Sequence, residues 1–371
     1  MKVVLMHDWL TGFRGGERIL EAFCEMYPDA PIYTLIHKKG STSKTIESKE
    51  IITSFLDRIP GIYKYYRFFL PIMPLAASLL KIRHDADLVI SSSHCVIKGV
   101  KKPKGSKHIC YIHTPMRYIY DQFDNYFKNT HPLIKMGGYI TRPFLRWWDK
   151  KSNSNVDHFL PNSQFVQKRI QKYYEVGSTV VYPFVDFLDF SSVHKNPPKK
   201  EDFYVMVSAF APNKKVDLAI KAFNLSGRPL KIIGSGSKDE ILKLKSIANM
   251  NIEFLGRVSR EEIVENLSKA KALIFPGVED FGITPLESLS AGTPVIAYRK
   301  GGVLESLDNQ SAIFFDEPNE NDLAEVIRTF EKRAIYFNPT NLYSKAELFS
   351  KKHFFNDFQR QVNNLLVNTG G

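Results

Sequence analysis

The sequence predicts an α/β protein with two doubly wound domains, each built on a parallel sheet. The chain has 371 residues and 43% hydrophobic side chains, which is too much for one small core and suits two domains. Short apolar runs alternate along the chain with stretches of helical period, as parallel sheets require. A polar stretch containing Pro197 and Pro198 separates two series of these runs.

The apolar runs are interpreted as buried strands because they are short and rich in Val, Ile, Leu or aromatic residues. The predicted strands of the first domain are 3–6, 88–91, 108–112, 159–161 and 180–182. Those of the second domain are 204–208, 230–234, 252–254, 272–275 and 294–297.

The domain boundaries follow from these strands and from the polar stretch between them. Near the end of the chain, Phe354, Phe358 and Val362 recur near a helical period, so this last segment should pack on another element. The prediction is a first domain over 1–190, a linker over 191–202, a second domain over 203–349 and a C-terminal helix over 350–371.

Cysteine usage and hydropathy indicate a cytoplasmic protein. The three cysteines, Cys24, Cys95 and Cys110, form no C-x-x-C pair and leave one unpaired in any disulfide scheme. The apolar start is broken at once by His7 and Asp8, so we expect a buried strand there and no signal peptide. The longest apolar stretch, 68–80, is too short to span a bilayer.

Charge is distributed unevenly along the chain. Residues 1–200 hold 30 Lys and Arg against 17 Asp and Glu, whereas the remainder holds 21 against 22. A basic first half suggests a polyanionic partner for that half, either a nucleic acid or an anionic bilayer. No nucleic-acid-binding motif supports the first alternative, and we therefore expect no nucleic acid partner.

Two carboxylates, Glu279 and Glu287, stand eight positions apart around a predicted strand-to-helix turn. Backbone N–H groups at the start of such a helix attract a phosphate at the carboxyl edge of the sheet. Glu287, about one turn into the helix, could then accept hydrogen bonds from a ribose. Taken singly, Thr284 as a helix cap and Glu287 as a first-turn carboxylate are equally ordinary features.

The whole string Glu-Asp-Phe-Gly-Ile-Thr-Pro-Leu-Glu over 279–287, followed by Gly301-Gly302, resembles the E-x7-E signature of family-4 retaining glycosyltransferases. The resemblance extends along nearly the whole chain and is nearest to bacterial O-antigen-type mannosyltransferases. It implies a GT-B fold, with two Rossmann-like domains facing each other and the C-terminal helix packing back on the first. The first domain would bind the acceptor and the second the nucleotide sugar.

The same resemblance implies roles for individual residues. Glu279 would contact the donor sugar and Glu287 the nucleotide ribose. The N–H groups that would cradle the diphosphate are those of Phe281, Gly282, Ile283 and Thr284.

Lys214 and Lys215 lie between a predicted strand and the helix that follows it, so their ammonium groups could hold phosphate charge without a metal. The family pattern has an arginine where this chain has Ala209, so only Lys214 matches directly. Lys215 is the candidate for the second charge. A solvated helix start is the plain alternative.

In the first domain, His113 follows a predicted strand and should project at the ligand edge of the sheet. It resembles the family's histidine that contacts the donor sugar and is predicted to be catalytic, with Lys214 and Glu279. Gly15 and Gly16 would let the backbone approach the donor closely, although any tight turn could use such a pair. The acceptor-side candidates are Asp8, Trp9 and Arg117.

Three further patterns have two interpretations. Asn162-Ser163 and Gly234-Ser235-Gly236 resemble family turns, although an N-cap and a plain turn explain them equally well. Asp85-Ala86-Asp87 resembles a metal-binding D-x-D triplet, but it precedes a strand and should lie at the amino edge, away from the ligand. No zinc-like spacing occurs, so neither a metal nor another cofactor is expected.

The predicted function is transfer of a hexose, mannose from GDP-mannose by resemblance, to a lipid-linked or polysaccharide acceptor in cell-envelope glycan synthesis. A nucleotide-sugar epimerase or hydrolase of the same fold and a non-catalytic polyanion-binding protein are the alternatives. The segment 63–70 alternates aromatic rings with cations, as interfacial anchors do. With Lys64, Arg67, Lys81 and Arg83 it predicts peripheral docking on an anionic cytoplasmic membrane face. The alternative is that 68–80 is a buried helix pair of the first domain with exposed lysines around it.

Overall fold

A computed structural model describes residues 1–123, 132–332 and 337–367, with the side chain of Leu133 excepted. The chain divides into two compact units. The first contains Met1–Tyr182 and the chain from Phe355 onward, and the second contains Pro183–Phe354. Each unit is built on a six-stranded parallel sheet, which confirms the predicted fold class.

In the sheet of the first unit, the strand order is β3-β2-β1-β4-β5-β6, and every neighbouring pair is parallel. The two central strands, β1 and β4, are buried along their whole length. The strands are β1 (Val3–His7), β2 (Ile32–Thr34), β3 (Ile51–Thr53), β4 (Leu88–Ser93), β5 (Lys107–Ile112) and β6 (His158–Pro161).

The helices of the first unit connect these strands. The α-helices are α1 (Gly15–Met26), α2 (Lys44–Glu47), α3 (Ile62–Tyr65), α4 (Met73–Leu79), α5 (Pro132–Lys151) and α6 (Gln164–Tyr174). Short 3₁₀ helices span Phe55–Arg58, Tyr66–Phe69, Ile97–Gly99 and Ser152–Asn155.

The second unit has the strand order β12-β11-β10-β7-β8-β9, again parallel throughout. Its strands are β7 (Tyr204–Val207), β8 (Leu230–Ile233), β9 (Ile252–Gly256), β10 (Leu273–Phe275), β11 (Val295–Tyr298) and β12 (Ala312–Phe315). Its α-helices are α7 (Ser191–Lys195), α8 (Val216–Ser226), α9 (Lys238–Ser246), α10 (Arg260–Lys269), α11 (Ile283–Ser290), α12 (Glu320–Lys332) and α13 (Pro339–Glu347). Its 3₁₀ helices span Phe187–Phe190, Pro212–Lys214 and Gly302–Glu305.

The last helix, α14 (Lys351–Val367), begins in the second unit and continues in the first. Within the first unit, the ring of Phe358 lies 4.6 Å from that of Phe23 on α1. Both side chains are buried. The C-terminal helix therefore packs on the first unit, as the resemblance implies.

The face of the first sheet that lies opposite α1 carries the connections from β3 to β4 and from β5 to β6. Both connections cross the sheet in the same direction, and right-handed crossovers place such connections on one face. A single apolar core joins them and includes Leu56, Met73, Ala77 and Leu145. Residues 55–79 and helix α5 consequently cover the same face.

The structure differs from the predicted strands at four places. β2, β3 and β12 are present but were not predicted. The predicted strand 180–182 is wrong. This segment runs beside β6 and makes only single bonds, such as that from Val181 N to Pro161 O at 3.0 Å, so no ladder forms.

The polar stretch 191–202 begins with α7 and lies inside the second unit. Val193 is buried, and the ring of His194 stacks on Tyr343 with centroids 4.3 Å apart. No helix in the described part of the chain is long and apolar enough to cross a membrane.

A buried ion pair ties α5 to the 3₁₀ helix Ile97–Gly99. Lys98 and Asp149 are both fully buried, with Lys98 Nζ 2.9 Å from Asp149 Oδ1. Lys98 also donates to Asn153 Oδ1 at 2.8 Å, and Tyr120 donates to Asp149 Oδ2 at 3.0 Å. These hydrogen bonds offset much of the cost of removing both charges from water.

Removal of one partner should therefore cost more than removal of both. Asp149→Ala leaves the Lys98 ammonium buried and uncompensated, so the free energy of unfolding should fall by about 3–5 kcal/mol in urea titrations. The double variant Lys98→Met, Asp149→Leu should recover most of that loss. Asp357→Ala, which breaks an exposed pair with Arg360, is the control and should cost less than about 1 kcal/mol. Equal losses for Asp149→Ala and Asp357→Ala would contradict this account.

Candidate active site

In the first unit, polar side chains gather where β1, β4 and β5 end. His7 is the last residue of β1, Ser92 lies near the end of β4, and His113 directly follows β5. The Ser92 hydroxyl lies 3.1 Å from His7 Nδ1 and 2.8 Å from His113 Nε2. One hydroxyl thus joins both imidazoles at the carboxyl edge of the sheet, where the sequence predicts His113.

The environment keeps His113 uncharged. Burial lowers the pKa of His113 well below its ordinary value, and the neighbouring imidazoles of His94 and His7 lower the pKa further. At neutral pH its imidazole is therefore neutral. It can exchange a hydrogen bond with a sugar hydroxyl, but it contributes no positive charge.

Helix α1 begins beside this histidine cluster, with Gly15 and Gly16 as its first residues. A Cβ atom at Gly16 would lie 3.4 Å from His7 Cε1 and 3.6 Å from His113 Nε2. A side chain there would occupy the space next to His113. The absence of a side chain lets the N–H groups of the first helical turn approach the same point.

Glu17 connects α1 to the cluster. Its carboxylate accepts the Arg14 N–H at 3.0 Å and lies 3.9 Å from His7 Nε2. Burial alone would raise the pKa of Glu17, but the interaction with His7 outweighs it and lowers the pKa. Glu17, His7, Ser92 and His94 were not among the predicted site residues. The only sequence signal of His7, Ser92 and His94 is their position after or near predicted strand ends.

The structure corrects the expectation for Asp8. Its carboxylate is fully buried and accepts four backbone N–H groups, those of residues 94–97, at 2.7–2.9 Å. Asp8 therefore organises this loop and is not exposed to an acceptor. Trp9 is half-buried, with its ring 4.6 Å from that of His94, and Arg117 is half-buried in the turn after β5.

In the second unit, the loop between β10 and α11 carries the Glu279 end of the E-x7-E string. Close backbone contacts position this loop. A Cβ atom at Gly277 would lie 2.5 Å from Asn213 O, and one at Gly302 would lie 2.0 Å from Asp280 O. Gly302 N also donates to Glu279 O at 2.9 Å. Only glycine permits both approaches, so the loop is held against the Lys214 turn.

Lys214 and Glu279 meet as a result of this packing. Lys214 Nζ lies 2.5 Å from Glu279 Oε1, and both side chains are about one-fifth to one-quarter exposed. Lys215 is exposed at a left-handed backbone position with φ 55°, and it has no ion-pair partner among the described residues. At position 209, where the family pattern has an arginine, this chain has an exposed alanine, which supplies no second cation.

Helix α11 starts without a side-chain cap. Its N-cap is Gly282, with φ 94°, and no side chain accepts a hydrogen bond from the first turn there. Thr284 is consequently inside the helix and is not its cap. The N–H groups of Ile283 and Thr284 belong to the first helical turn, which has no intrahelical acceptors. Phe281 is buried, with its ring 5.6 Å from that of Phe349, and anchors the residue before the cap.

Glu287 is oriented by an arginine that the sequence analysis missed. Arg260, the first residue of α10, places Nη1 2.7 Å from Glu287 Oε1 and Nε 2.7 Å from Asp189 Oδ2. Its guanidinium also lies over the Phe190 ring, 5.4 Å from the centroid. Burial alone would lower the pKa of Arg260, but the two carboxylates raise it. No local pattern reveals this triad, because its members are far apart in sequence.

The remaining predicted sites have structural roles. Ser163 caps α6 by accepting the Val166 N–H at 3.0 Å, with Asn162 beside it. The turn at Gly234–Gly236 packs on the Lys214 loop, where Phe210 N donates to Ser235 O at 2.9 Å.

Asp85 and Asp87 lie at the amino edge of the first sheet. There Lys2 N donates to Asp87 Oδ2 at 2.7 Å, and Lys2 Nζ lies 3.3 Å from Asp85 Oδ2. Within the described residues, no group of three His, Cys, Asp or Glu side chains is arranged to hold a metal ion.

Similarity to known proteins covers both units. The family profile described as Glycosyltransferase Family 4 matches residues 15–187, and that described as Glycosyl transferases group 1 matches residues 189–346. Over its full length the chain aligns with the structure of a sucrose-phosphate synthase from Thermosynechococcus elongatus, covering 100% of both chains, with a TM-score of 0.77 and 15% identity.

Two mannosyltransferases are among the relatives. The alpha-1,3/1,6-mannosyltransferase ALG2 of Homo sapiens is 26% identical over 63% of this chain and 66% of its own length. The O-antigen chain mannosyltransferase RfbU of Salmonella typhimurium is 27% identical over 64% of this chain and 67% of its own length. The aligned segment thus spans about two thirds of each relative. The matching profiles, the two parallel sheets and the E-x7-E string at α11 together show that the chain belongs to the family-4 glycosyltransferases with the GT-B fold.

Proposed function

We propose that this protein is a retaining hexosyltransferase that moves mannose from GDP-mannose to a lipid-linked or saccharide acceptor. The observation that carries the proposal is the arrangement in the second unit. Glu279 and Glu287 flank the uncapped start of α11, and Lys214 lies against Glu279. A nucleoside diphosphate sugar has the matching groups, namely a sugar, a ribose and a diphosphate between them. The two mannosyltransferase relatives support mannose as the sugar.

The diphosphate is the part of the donor that gains charge as the glycosidic bond breaks. N–H groups of Gly282, Ile283 and Thr284 can donate to its oxygens, and the partial positive charge of the helix start favours them. Lys214 adds a full positive charge. Each donor of this kind lowers the barrier by about 3 kcal/mol when it acts on the departing group. Lys215 is exposed beside Lys214 and supplies the second cation.

Lys214 and Glu279 have linked roles. Without donor, each neutralises the other at 2.5 Å. When the diphosphate binds, the ammonium gains a second anionic partner, and the Glu279 carboxylate becomes available to a sugar hydroxyl. Glu287 remains anchored by Arg260 through Oε1 and faces the ribose.

Neither glutamate is suited to attack the anomeric carbon, because each is paired with a cation. We therefore propose front-face displacement, in which the acceptor hydroxyl attacks from the side that the diphosphate leaves. The departing phosphate oxygen takes the proton of that hydroxyl. In the first unit, the neutral imidazole of His113 binds a donor sugar hydroxyl without adding charge.

We also propose that the first unit docks on an anionic membrane face, where lipid-linked acceptors reside. Its residues 61–83 contain four cations, Lys64, Arg67, Lys81 and Arg83, and no acidic residue. All four cations are exposed. Two aromatic side chains of the same segment, Tyr65 and Phe68, are 48% and 62% exposed. Each such cation contributes about 1 kcal/mol near an anionic surface before screening by salt.

The first test concerns the reaction itself. We expect GDP-mannose, in a screen of nucleotide sugars with a polyprenyl-linked saccharide acceptor, to give a product heavier by one hexose in mass spectra. Turnover should persist in EDTA, because helix N–H groups and lysines hold the diphosphate. Complete loss in EDTA with recovery in Mn²⁺ would refute the metal-free mechanism. Equal turnover of donor without acceptor would instead indicate a hydrolase or epimerase.

A second test separates the two glutamates. Glu287→Ala should weaken GDP binding about 10–100-fold in calorimetry, since it removes a charge-assisted ribose contact. Asp189 still pairs with Arg260 in this variant, so no isolated guanidinium remains. Glu279→Ala should bind GDP nearly as the parent does and lower kcat instead. Exposed Glu317→Ala is the control. If Glu287→Ala binds GDP like the control, the ribose assignment is wrong.

A third test concerns membrane docking. Co-sedimentation should be observed with vesicles of phosphatidylcholine and phosphatidylglycerol, and it should weaken as salt screens the surface charge. Replacing Lys64, Arg67, Lys81 and Arg83 by Ser should lower binding about tenfold or more. Equal binding to pure phosphatidylcholine vesicles would show that electrostatic attraction is not responsible.

A further inference from the structure

Helix α5 exposes a row of large apolar side chains. Met136, Ile140, Phe144 and Trp147, here called the α5 stripe, are 54%, 71%, 48% and 56% exposed. Their spacings of four, four and three positions put them on one side of the helix. The rings of Phe144 and Trp147 lie 6.0 Å apart, so the stripe is continuous at its end.

The inner side of α5 is firmly attached to the first unit. Leu145 is 2% exposed within the core, and Asp149 belongs to the buried pair with Lys98. Arg142 donates from Nη2 to Tyr120 O at 2.7 Å, and Arg146 donates from Nε to Ile119 O at 2.6 Å. The exposure of the stripe is therefore a property of a well-packed helix and does not arise from poor packing.

The face of the first sheet that α5 covers also carries a second apolar surface. Residues 55–79 and α5 cover the same face of the first sheet and belong to one core. On 55–79, the outward side chains include Phe68, Ile72, Leu75 and Leu79, which are 44–62% exposed. Two elements that cover one face of the sheet thus direct large apolar groups outward, and exposed apolar groups of this size are typical of binding surfaces.

The charges around these elements select the partner. Helix α5 contains five Lys and Arg residues and one acid, and that acid, Asp149, is fully buried. Lys150 pairs with Glu175, while the Lys151 ammonium lies 4.8 Å from the centre of the Trp147 ring. A second copy of the chain would bring an equally basic surface against this one, which disfavours self-association. An anionic lipid surface offers headgroup phosphates to the cations and acyl chains to the rings.

We propose that α5 lies in the plane of an anionic bilayer interface, with the α5 stripe inserted among the lipids. The inference extends the docking described under the proposed function and rests on it. Residues 61–83 supply the electrostatic attraction, and α5 supplies the apolar insertion that holds the first unit at a fixed depth. Interfacial helices of this type insert about 5–10 Å below the headgroups.

Trp147 gives a direct readout of insertion. The chain has three tryptophans, and Trp9 and Trp148 are half-buried in the first unit. Brominated phosphatidylcholine mixed with phosphatidylglycerol should quench the fluorescence of the parent protein, since bromine quenches only at contact. Trp147→Phe should bind the same vesicles while losing most of the quenching. Quenching that persists in Trp147→Phe would overturn the assignment.

A variant series measures the contribution of the stripe. Changing Ile140, Phe144 and Trp147 to Ser should lower partitioning into these vesicles about a hundredfold, because three large apolar side chains leave the lipid. The control changes Leu188, Leu242 and Met250 to Ser, residues of the second unit that are 66–106% exposed, and should bind like the parent. Unchanged partitioning of the stripe variant overturns the proposal. The proposal is also overturned if the parent protein is a dimer, the stripe variant is a monomer, and both bind vesicles equally.

The outcomes separate this inference from the proposed function. Transfer to a water-soluble saccharide acceptor needs no vesicle, so the stripe variant should keep the parent's rate with it. A stripe variant that transfers normally yet partitions like the parent contradicts only the α5 proposal. A parent protein that is quenched by brominated lipid yet transfers no sugar contradicts only the proposed reaction.

Discussion

The parallel arrangement of the strands is the constraint on which both units depend. Parallel strands end at one edge, so residues distant in sequence meet there without any local motif. In the first unit this brings His7, Ser92 and His113 within hydrogen-bonding distance. In the second unit it brings the turn after β7, which carries Lys214, against the loop after β10, which carries Glu279. The group of polar residues in each unit is built from the ends of neighbouring strands and the helix that follows one of them.

The burial of polar groups is compensated differently at the ligand edges of the two sheets. At the first edge, burial keeps His113 neutral, and one shared serine hydroxyl contacts a ring nitrogen of both His7 and His113. At the second edge, basic and acidic side chains are paired, Lys214 with Glu279 and Arg260 with Glu287. A neutral edge suits hydroxyl-rich sugars, whereas a charged edge suits a diphosphate whose charge changes during reaction. The sequence asymmetry in net charge does not cause this difference, because the basic half contains the neutral edge.

The predictability of each feature from sequence depends on how local its cause is. The central strands were predicted because each is a continuous apolar run, whereas β2, β3 and β12, which lie at or next to an edge of their sheets, were missed. Glu279, Glu287 and Lys214 were named as candidate site residues from local strings, and the structure shows that Lys214 and Glu279 meet.

The partners of these residues were harder to find. Arg260 was missed because its pairing with Glu287 and Asp189 exists only after three elements pack. Asp8 was misassigned for the same reason, since four backbone donors around residue 95 reach it only in the folded chain. Local strings thus single out candidate ligand-binding groups, whereas the residues that hold those groups in place are visible only in the folded chain.

The α5 stripe is explained neither by the folding of the first unit nor by the polar groups at the edges of the two sheets. Leu145, Arg142 and Asp149 on the inner side already attach the helix, so the outer side is not needed for packing. Exposing Ile140 and Trp147 to water gains no folding energy, because their apolar area stays hydrated in the folded chain. A polar residue at either position would leave the inner contacts intact. The composition of the outer side is therefore the reason for proposing a partner that touches it, and the surrounding cations favour an anionic, apolar phase as that partner.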